Sequence, residues 1–135
     1  MVVKNKFENL QAWQEAHKLV IMVYKAVKSF PEEEKFRLTD QVCRSVSSVA
    51  ANLVEGSARS YRKEYLQFVY LAKGSLEETK YHLLLSRDLG YLKESDYEKL
   101  IEQATNCSKL LNGLITYLKT NPKDGRPLGS KNKEL

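Results

Sequence analysis

Apolar residues recur at three- and four-residue intervals in four long stretches of the chain, and short breaks rich in Gly, Pro, Ser or acidic residues separate them. That period belongs to amphipathic helices, not to strands, and the spacing predicts four of them. In the first, Leu10, Trp13, Ala16, Val20, Val23 or Tyr24, and Val27 form one stripe, so a helix is expected from Asn9, as its N-cap, to Ser29. Pro31 breaks it, and Glu32, Glu33 and Glu34 suit the positive start of the next helical turn. The second helix is expected over 36–58, with Leu38, Val42, Val46, Val49 and Leu53 inward and Gly56 near its end as a residue free to leave helical geometry.

Ser60 is a candidate cap for the third helix, expected over 61–89 with Tyr65, Phe68, Ala72, Ser75, Thr79, Leu83 and Ser86 on one stripe. Leu66, Val69, Tyr70, Leu84 and Leu85 fall off that stripe, so the apolar arc is broader than one helical hairpin covers. An arc of that width predicts a second contact, with another subunit as the candidate. Gly90 fits the C′ position, and Ser95 with Glu98 reads as a capping box opening a fourth helix that runs to Lys119. Tyr97, Leu100 or Ile101, Ala104, Cys107, Leu111, Leu114 and Leu118 make its inward face. Four long helices with short connections predict an all-α, antiparallel up-and-down four-helix bundle over 1–119. The segment 120–135, TNPKDGRPLGSKNKEL, has the composition of a disordered basic tail.

Polar residues inside the second stripe change this picture. Ser48, Asn52 and Glu55, followed by Gly56, stand where a helix built only for burial would carry Leu or Ala, because buried Ser and Asn are costly without partners. Ser75 and Glu78 on the third helix are the candidates to answer them. On this reading Ser48, Asn52 and Ser75 bond across the interface of helices two and three and fix its register.

The order of these motifs carries a resemblance. Phe30-Pro31, Glu34, Phe36, Leu38 and Gln41, then Ser48 to Gly56 (SVAANLVEG), Arg59, and Ala72 to Glu78 (AKGSLEE) resemble the four-helix-bundle proteins encoded in intervening sequences of bacterial 23S rRNA genes. The resemblance extends from Phe7 to Leu118. It implies a homo-oligomer, a homopentamer in the family, and kinship with the accessory variability protein of diversity-generating retroelements, which binds nucleic acid and a reverse transcriptase through a basic surface. One departure is visible: the family commonly has two consecutive basic residues after the glutamine, and here Cys43 precedes Arg44.

Charge bears on that implication. The net charge is +5, and the tail, with four basic residues against two acidic ones, holds +2 of it. A mild excess remains for the bundle, compatible with a polyanionic partner. Arg44, Arg59, Arg62 and Lys63 gather at the second helix and its exit, and Lys18, Lys25 and Lys28 share part of the first. These seven are the candidate nucleic-acid-binding residues, for RNA or DNA, and a ring of identical subunits would repeat each of them. A nucleoprotein partner is a further expectation; the alternative is a protein-interaction or scaffolding bundle that binds no nucleic acid.

Enzyme chemistry finds little support. The only histidines, His17 and His82, follow Gln14 and Thr79 by three residues, so the Glu-x-x-His pairs of a di-iron bundle are absent. No G-x-S-x-G occurs, and Gly125 to Lys131 departs from a P-loop in both spacing and ending. Glu55 and Glu78 are the one acid–base pairing worth naming. Neither catalytic residues, metal nor cofactor are expected. The isolated Cys43 and Cys107 read as reduced, buried thiols, and the absence of an apolar leader or a long apolar run predicts a cytoplasmic protein without membrane contact.

Overall fold

Each of the four stripes folds into a helix: α1 (Gln11–Ala26), α2 (Leu38–Ser57), α3 (Arg62–Asp88) and α4 (Glu94–Thr120). They come from a computed structural model that describes residues 5–120, so the tail expectation lies, beyond Thr120, outside the described residues. Helices adjacent in sequence pack together, and α4 closes back on α1, which leaves α2 and α4 diagonal. Along the α2–α3 interface partner numbers run in opposite senses, Ser45 with Thr79, Ser48 with Ser75 and Gly56 beside Phe68, as antiparallel helices require. The result is the up-and-down four-helix bundle. No described helix is long and apolar enough to cross a membrane.

The α2 stripe is buried as its spacing predicts, with Leu38, Val42, Val46, Val49 and Leu53 all in the core. The other phases shift. On α1 the core takes Ala12, Ala16, Leu19 and Val23, while Val20 is half-buried and Tyr24 exposed, because the helix turns its apolar arc to both α2 and α4. On α3, Val69 and Leu76 are fully buried and Phe68 and Ser75 only half, for the same reason.

Three expected helix ends differ. A 3-10 turn, Lys6–Asn9, precedes α1, and Asn9 ends it; the N-cap of α1 is Leu10, which is drawn into the core. Ser60 does not cap α3, whose N-cap is Tyr61. Helix α4 begins at Glu94, with the Lys93 carbonyl accepting the Tyr97 N–H at 2.9 Å, so Ser95 and Glu98 lie inside the first turns and form no cap. Burial of Leu92 immediately before this start outweighs the local capping preference. By contrast Gly90, at φ +83°, sits where expected. The Tyr91 N–H reaches the Ser86 carbonyl and the Gly90 N–H the Arg87 carbonyl, each at 2.9 Å, which satisfies the end of α3.

Gly56 has a role other than the one expected. It stays helical, and a Cβ built there would lie 2.8 Å from Phe68 Cβ and 3.0 Å from Tyr65 Cδ1. Only a residue without a side chain lets α2 and α3 approach so closely. The link 27–37 is equally well held. Phe30 is buried against the Tyr91 ring at 5.5 Å, the Tyr91 hydroxyl donates to Glu34 Oε2 at 2.9 Å, and Glu34 Oε1 accepts the Leu38 N–H at 3.2 Å. The Glu34 bond, followed by burial, raises the Tyr91 pKa above its usual 10. Its contribution is therefore present below pH 10 and lost as pH climbs through the raised value.

Candidate nucleic-acid interface

Burying Ala12, Ala16, Leu19 and Val23 leaves the opposite side of α1 to His17, Lys18, Ile21, Tyr24 and Lys25, with Lys28 following in a 3-10 turn. All six are exposed. Glu15 is the only carboxylate of α1, and it faces α4, where buried Gln103 donates from Nε2 to the Glu15 carbonyl at 2.9 Å and to its Oε1 at 3.0 Å. Among the described residues Lys18, Lys25 and Lys28 form no ion pair. One face of α1 is thus cationic, partly aromatic and free of acid.

Tyr24 extends this face onto α2 through a 3.2 Å contact between its hydroxyl and Ser47 Oγ. Arg44, one turn before Ser47, lies on the same side of α2 and is exposed, but its Nε pairs with Asp40 at 3.0 Å. Its charge is therefore compensated locally by the Asp40 carboxylate. His17 stacks on Trp13 with ring centroids 4.8 Å apart. Tyr24, Ile21 and His17 were not identified from the sequence, and the signal that finds them is the phase of α1, which only its two partner helices set.

The remaining candidates lie elsewhere. Arg59, Arg62 and Lys63 sit at the α2–α3 turn, at the C-terminal end of α2. Arg59 is exposed and rests over the Phe68 ring at 4.7 Å, and Lys63 is exposed and, among the described residues, forms no ion pair. Arg62 corrects the expectation. It is 3% exposed, with its guanidinium 4.7 Å over the Tyr117 ring and Nη2 donating to the Tyr117 hydroxyl at 3.1 Å. A cation enclosed between α3 and α4 reaches no phosphate.

The polar set divides. Ser48 and Ser75 hydroxyls meet at 2.9 Å, and Asn52 Nδ2 donates to the Ser48 carbonyl at 2.8 Å and to its hydroxyl at 3.0 Å. Beneath them Thr79 donates to Ser45 at 2.8 Å. The Ser48–Ser75 and Ser45–Thr79 bonds tie α2 to α3, whereas those of Asn52 stay within α2, so Asn52 braces Ser48 from its own helix and does not bond across the interface as expected. Glu55 is exposed on α2, and Glu78 pairs with His82 Nε2 at 3.1 Å, so the two carboxylates do not converge on one site. Among the described residues no cluster of His, Cys, Asp or Glu could hold a metal ion.

Both cysteines are free thiols. Burial, helped by the Glu15 charge, pushes Cys107 up to about 12, and burial next to Asp40 raises Cys43. The unfolded chain thus loses the Cys107 proton first, and stability falls as pH rises from 9 towards 12. Alkylation of the native protein at pH 8, followed by mass spectrometry, should label Cys43 slowly and leave Cys107 unmodified until denaturant is added. Rapid native labelling of Cys107 would contradict this placement.

Comparison with known proteins supplies a family. The chain matches the family model described as 23S rRNA-intervening sequence protein over residues 8–113. It is similar in structure to a crystal structure of a protein of unknown function from the S23 ribosomal protein family of Bacteroides thetaiotaomicron VPI-5482, with a TM-score of 0.72 and 24% identity over 78% of this chain and 95% of that one. At that identity the likeness speaks for the fold. No curated protein matches the chain.

Proposed function

The chain belongs to the 23S rRNA-intervening sequence protein family, and we propose that it is a non-enzymatic, self-associating bundle that holds RNA against the outward face of α1. The observation carrying this reading is the set Lys18, Lys25 and Lys28, unpaired among the described residues, interleaved with Tyr24 and His17 and free of carboxylate. Phosphates are drawn to such a face by counterion release, and a tyrosine beside it offers a surface for an unstacked base. Three lysines alone bind weakly. Repeating them around a homo-oligomer, pentameric as the family resemblance implies, makes a continuous belt from a modest charge. Arg59 and Lys63 form a secondary cationic spot at the α2–α3 turn. Contacts of this kind read charge and shape, with no sequence readout.

Titration of a structured RNA against salt tests the proposal. Lys18→Glu with Lys28→Glu is expected to weaken binding at least about tenfold near 0.1 M salt and to flatten the log–log salt slope by about two, one per lost phosphate contact. Arg59→Ala with Lys63→Ala should have the smaller effect. Affinity that the α1 reversal leaves unchanged, or none at low salt, sinks the reading. One observation favours the protein-interaction alternative: Tyr70, Leu71 and Tyr81 are 45%, 56% and 57% exposed on the outward side of α3, around Gly74, where nothing lies within 4 Å of an added Cβ. An apolar face of that kind suits another protein surface.

A further inference from the structure

We propose that Phe36 of one copy of the chain seats in the groove between α1 and α4 of a second copy, making a head-to-tail contact. The inference rests on the self-association part of the reading above and supplies its geometry. Phe36 is 85% exposed, the most exposed of the large apolar side chains among the described residues. It does not hang on a loose loop. The link that carries it is anchored on both sides, by Phe30 packed on Tyr91 and by Glu34 bonded to Tyr91 and to the start of α2. A phenyl ring held in water on an anchored support is a knob without its socket.

The groove supplies one. Met22, Ala26, Leu92 and Leu100 give it an apolar floor, and its open space is about 370 Å³. A single water takes roughly 30 Å³, so an aromatic ring fits with room to spare. The two surfaces are complementary in charge as well. Exposed Lys35 and Arg37 flank Phe36 in the sequence, and exposed Glu32 and Glu33 precede it by four and three residues. Lys25, Lys99 and Asp96 line the groove. Among the described residues none of these seven forms an ion pair, although Lys35 Nζ lies 5.5 Å from the centre of the Phe36 ring. Glutamates facing lysines, and the link cations facing Asp96, orient the contact.

Exposure makes the contact intermolecular. The knob stands at the entry to α2 and the groove between the end of α1 and the start of α4, at the same end of the bundle, yet Phe36 is not among the residues lining the groove and stays 85% exposed, so its socket lies on another copy. When each copy uses its knob on one neighbour and its groove on another, the interface is heterologous and closes into a ring if the rotation per copy allows it. Lys25 then lies at the seam between this contact and the RNA face, whereas Lys18 and Lys28 are outside the groove lining.

Light scattering on the full chain tests the contact, with circular dichroism as the check that each variant is folded. Phe36→Ala and, separately, Ala26→Phe, which fills the floor, are each expected to reduce the oligomer to monomer mass, while Phe36→Trp retains it. Glu33→Lys should weaken assembly, and adding Lys99→Glu to the same chain should restore it, because the reversed charges meet across copies. Full oligomer mass in folded Phe36→Ala or Ala26→Phe overturns the contact and leaves self-association and RNA binding standing. Unaltered mass in Phe36→Ala together with lost RNA affinity would instead make Phe36 a base-stacking residue, and also overturns it. A monomeric unmodified protein sinks the self-association reading and the contact together, whatever the RNA titration gives.

Discussion

Tyr65→Ala should lower the free energy of unfolding by about 3–5 kcal/mol, the range for truncating a large buried aromatic. Tyr65 heads the fully buried side chains by volume, and its ring is the surface against which Gly56 packs. The same contact governs a smaller substitution whose sign is informative. In a helix interior Gly→Ala gains about 1 kcal/mol of propensity. At Gly56 the new methyl would meet Phe68 Cβ at 2.8 Å, an atom rooted in the backbone of α3, so the helices themselves must separate. Gly56→Ala should therefore show a net loss of about 1–3 kcal/mol. Gly74→Ala and Gly113→Ala, where nothing lies within 4 Å of the added carbon, should each show the propensity gain. Urea unfolding of the three variants measures the contrast. A gain at Gly56 equal to that at Gly74 would mean that α2 and α3 do not approach as closely as the packing implies.

Why some of this was legible and some was not follows from what periodicity encodes. A three-four repeat gives a helix and its axis, and on α2 it also gives the correct face, since Val42, Val46, Val49 and Leu53 leave no second choice. On α1 the sequence offers Leu19 and Val20, then Val23 and Tyr24, as neighbours of similar hydrophobicity. Contact with both α2 and α4 then decides for Leu19 and Val23. Local end signals fare likewise: Gly90 succeeds because a positive φ has few other solutions, whereas the Ser95 and Glu98 pair loses to the burial of Leu92.

The candidate interface divides along the same line. Lys18, Lys25 and Lys28 can be read as a cationic set because their spacing alone puts the first two on one side of α1 and the third in the turn that follows it. The absence of acid on that side cannot, since it depends on where Glu15 turns, and Gln103, 88 positions away, settles that. The polar ladder from Ser45 and Ser48 to Thr79 and Ser75 is half visible: Ser48 and Ser75 stand out as partners, Thr79 lies on the α3 stripe with nothing local to name its partner, and Ser45 carries no signal.

Arg62 is the residue whose neighbourhood the sequence hid most completely, and its replacement separates packing from charge. In the run Arg59-Ser60-Tyr61-Arg62-Lys63 it looks like one more surface cation, yet it is enclosed by a tyrosine 55 positions away. Its stem fills space between α3 and α4, so Arg62→Ala should cost about 2–5 kcal/mol, as truncating a buried Met does. Arg62→Met keeps the length and removes a charge that has a ring and one hydroxyl for company, with Nη1 buried and unsatisfied. The cation–π attraction, about 2 kcal/mol when desolvated, is set against the cost of burying that charge, so the methionine variant should stay within about 1.5 kcal/mol of the parent. Neither change should alter the salt slope of RNA binding, whereas Lys28→Ala should reduce it by about one. Thermal and urea unfolding together with the RNA titration read all three. A folded Arg62→Met variant that lost a unit of salt slope would put this arginine back among the phosphate contacts and the enclosed geometry in doubt.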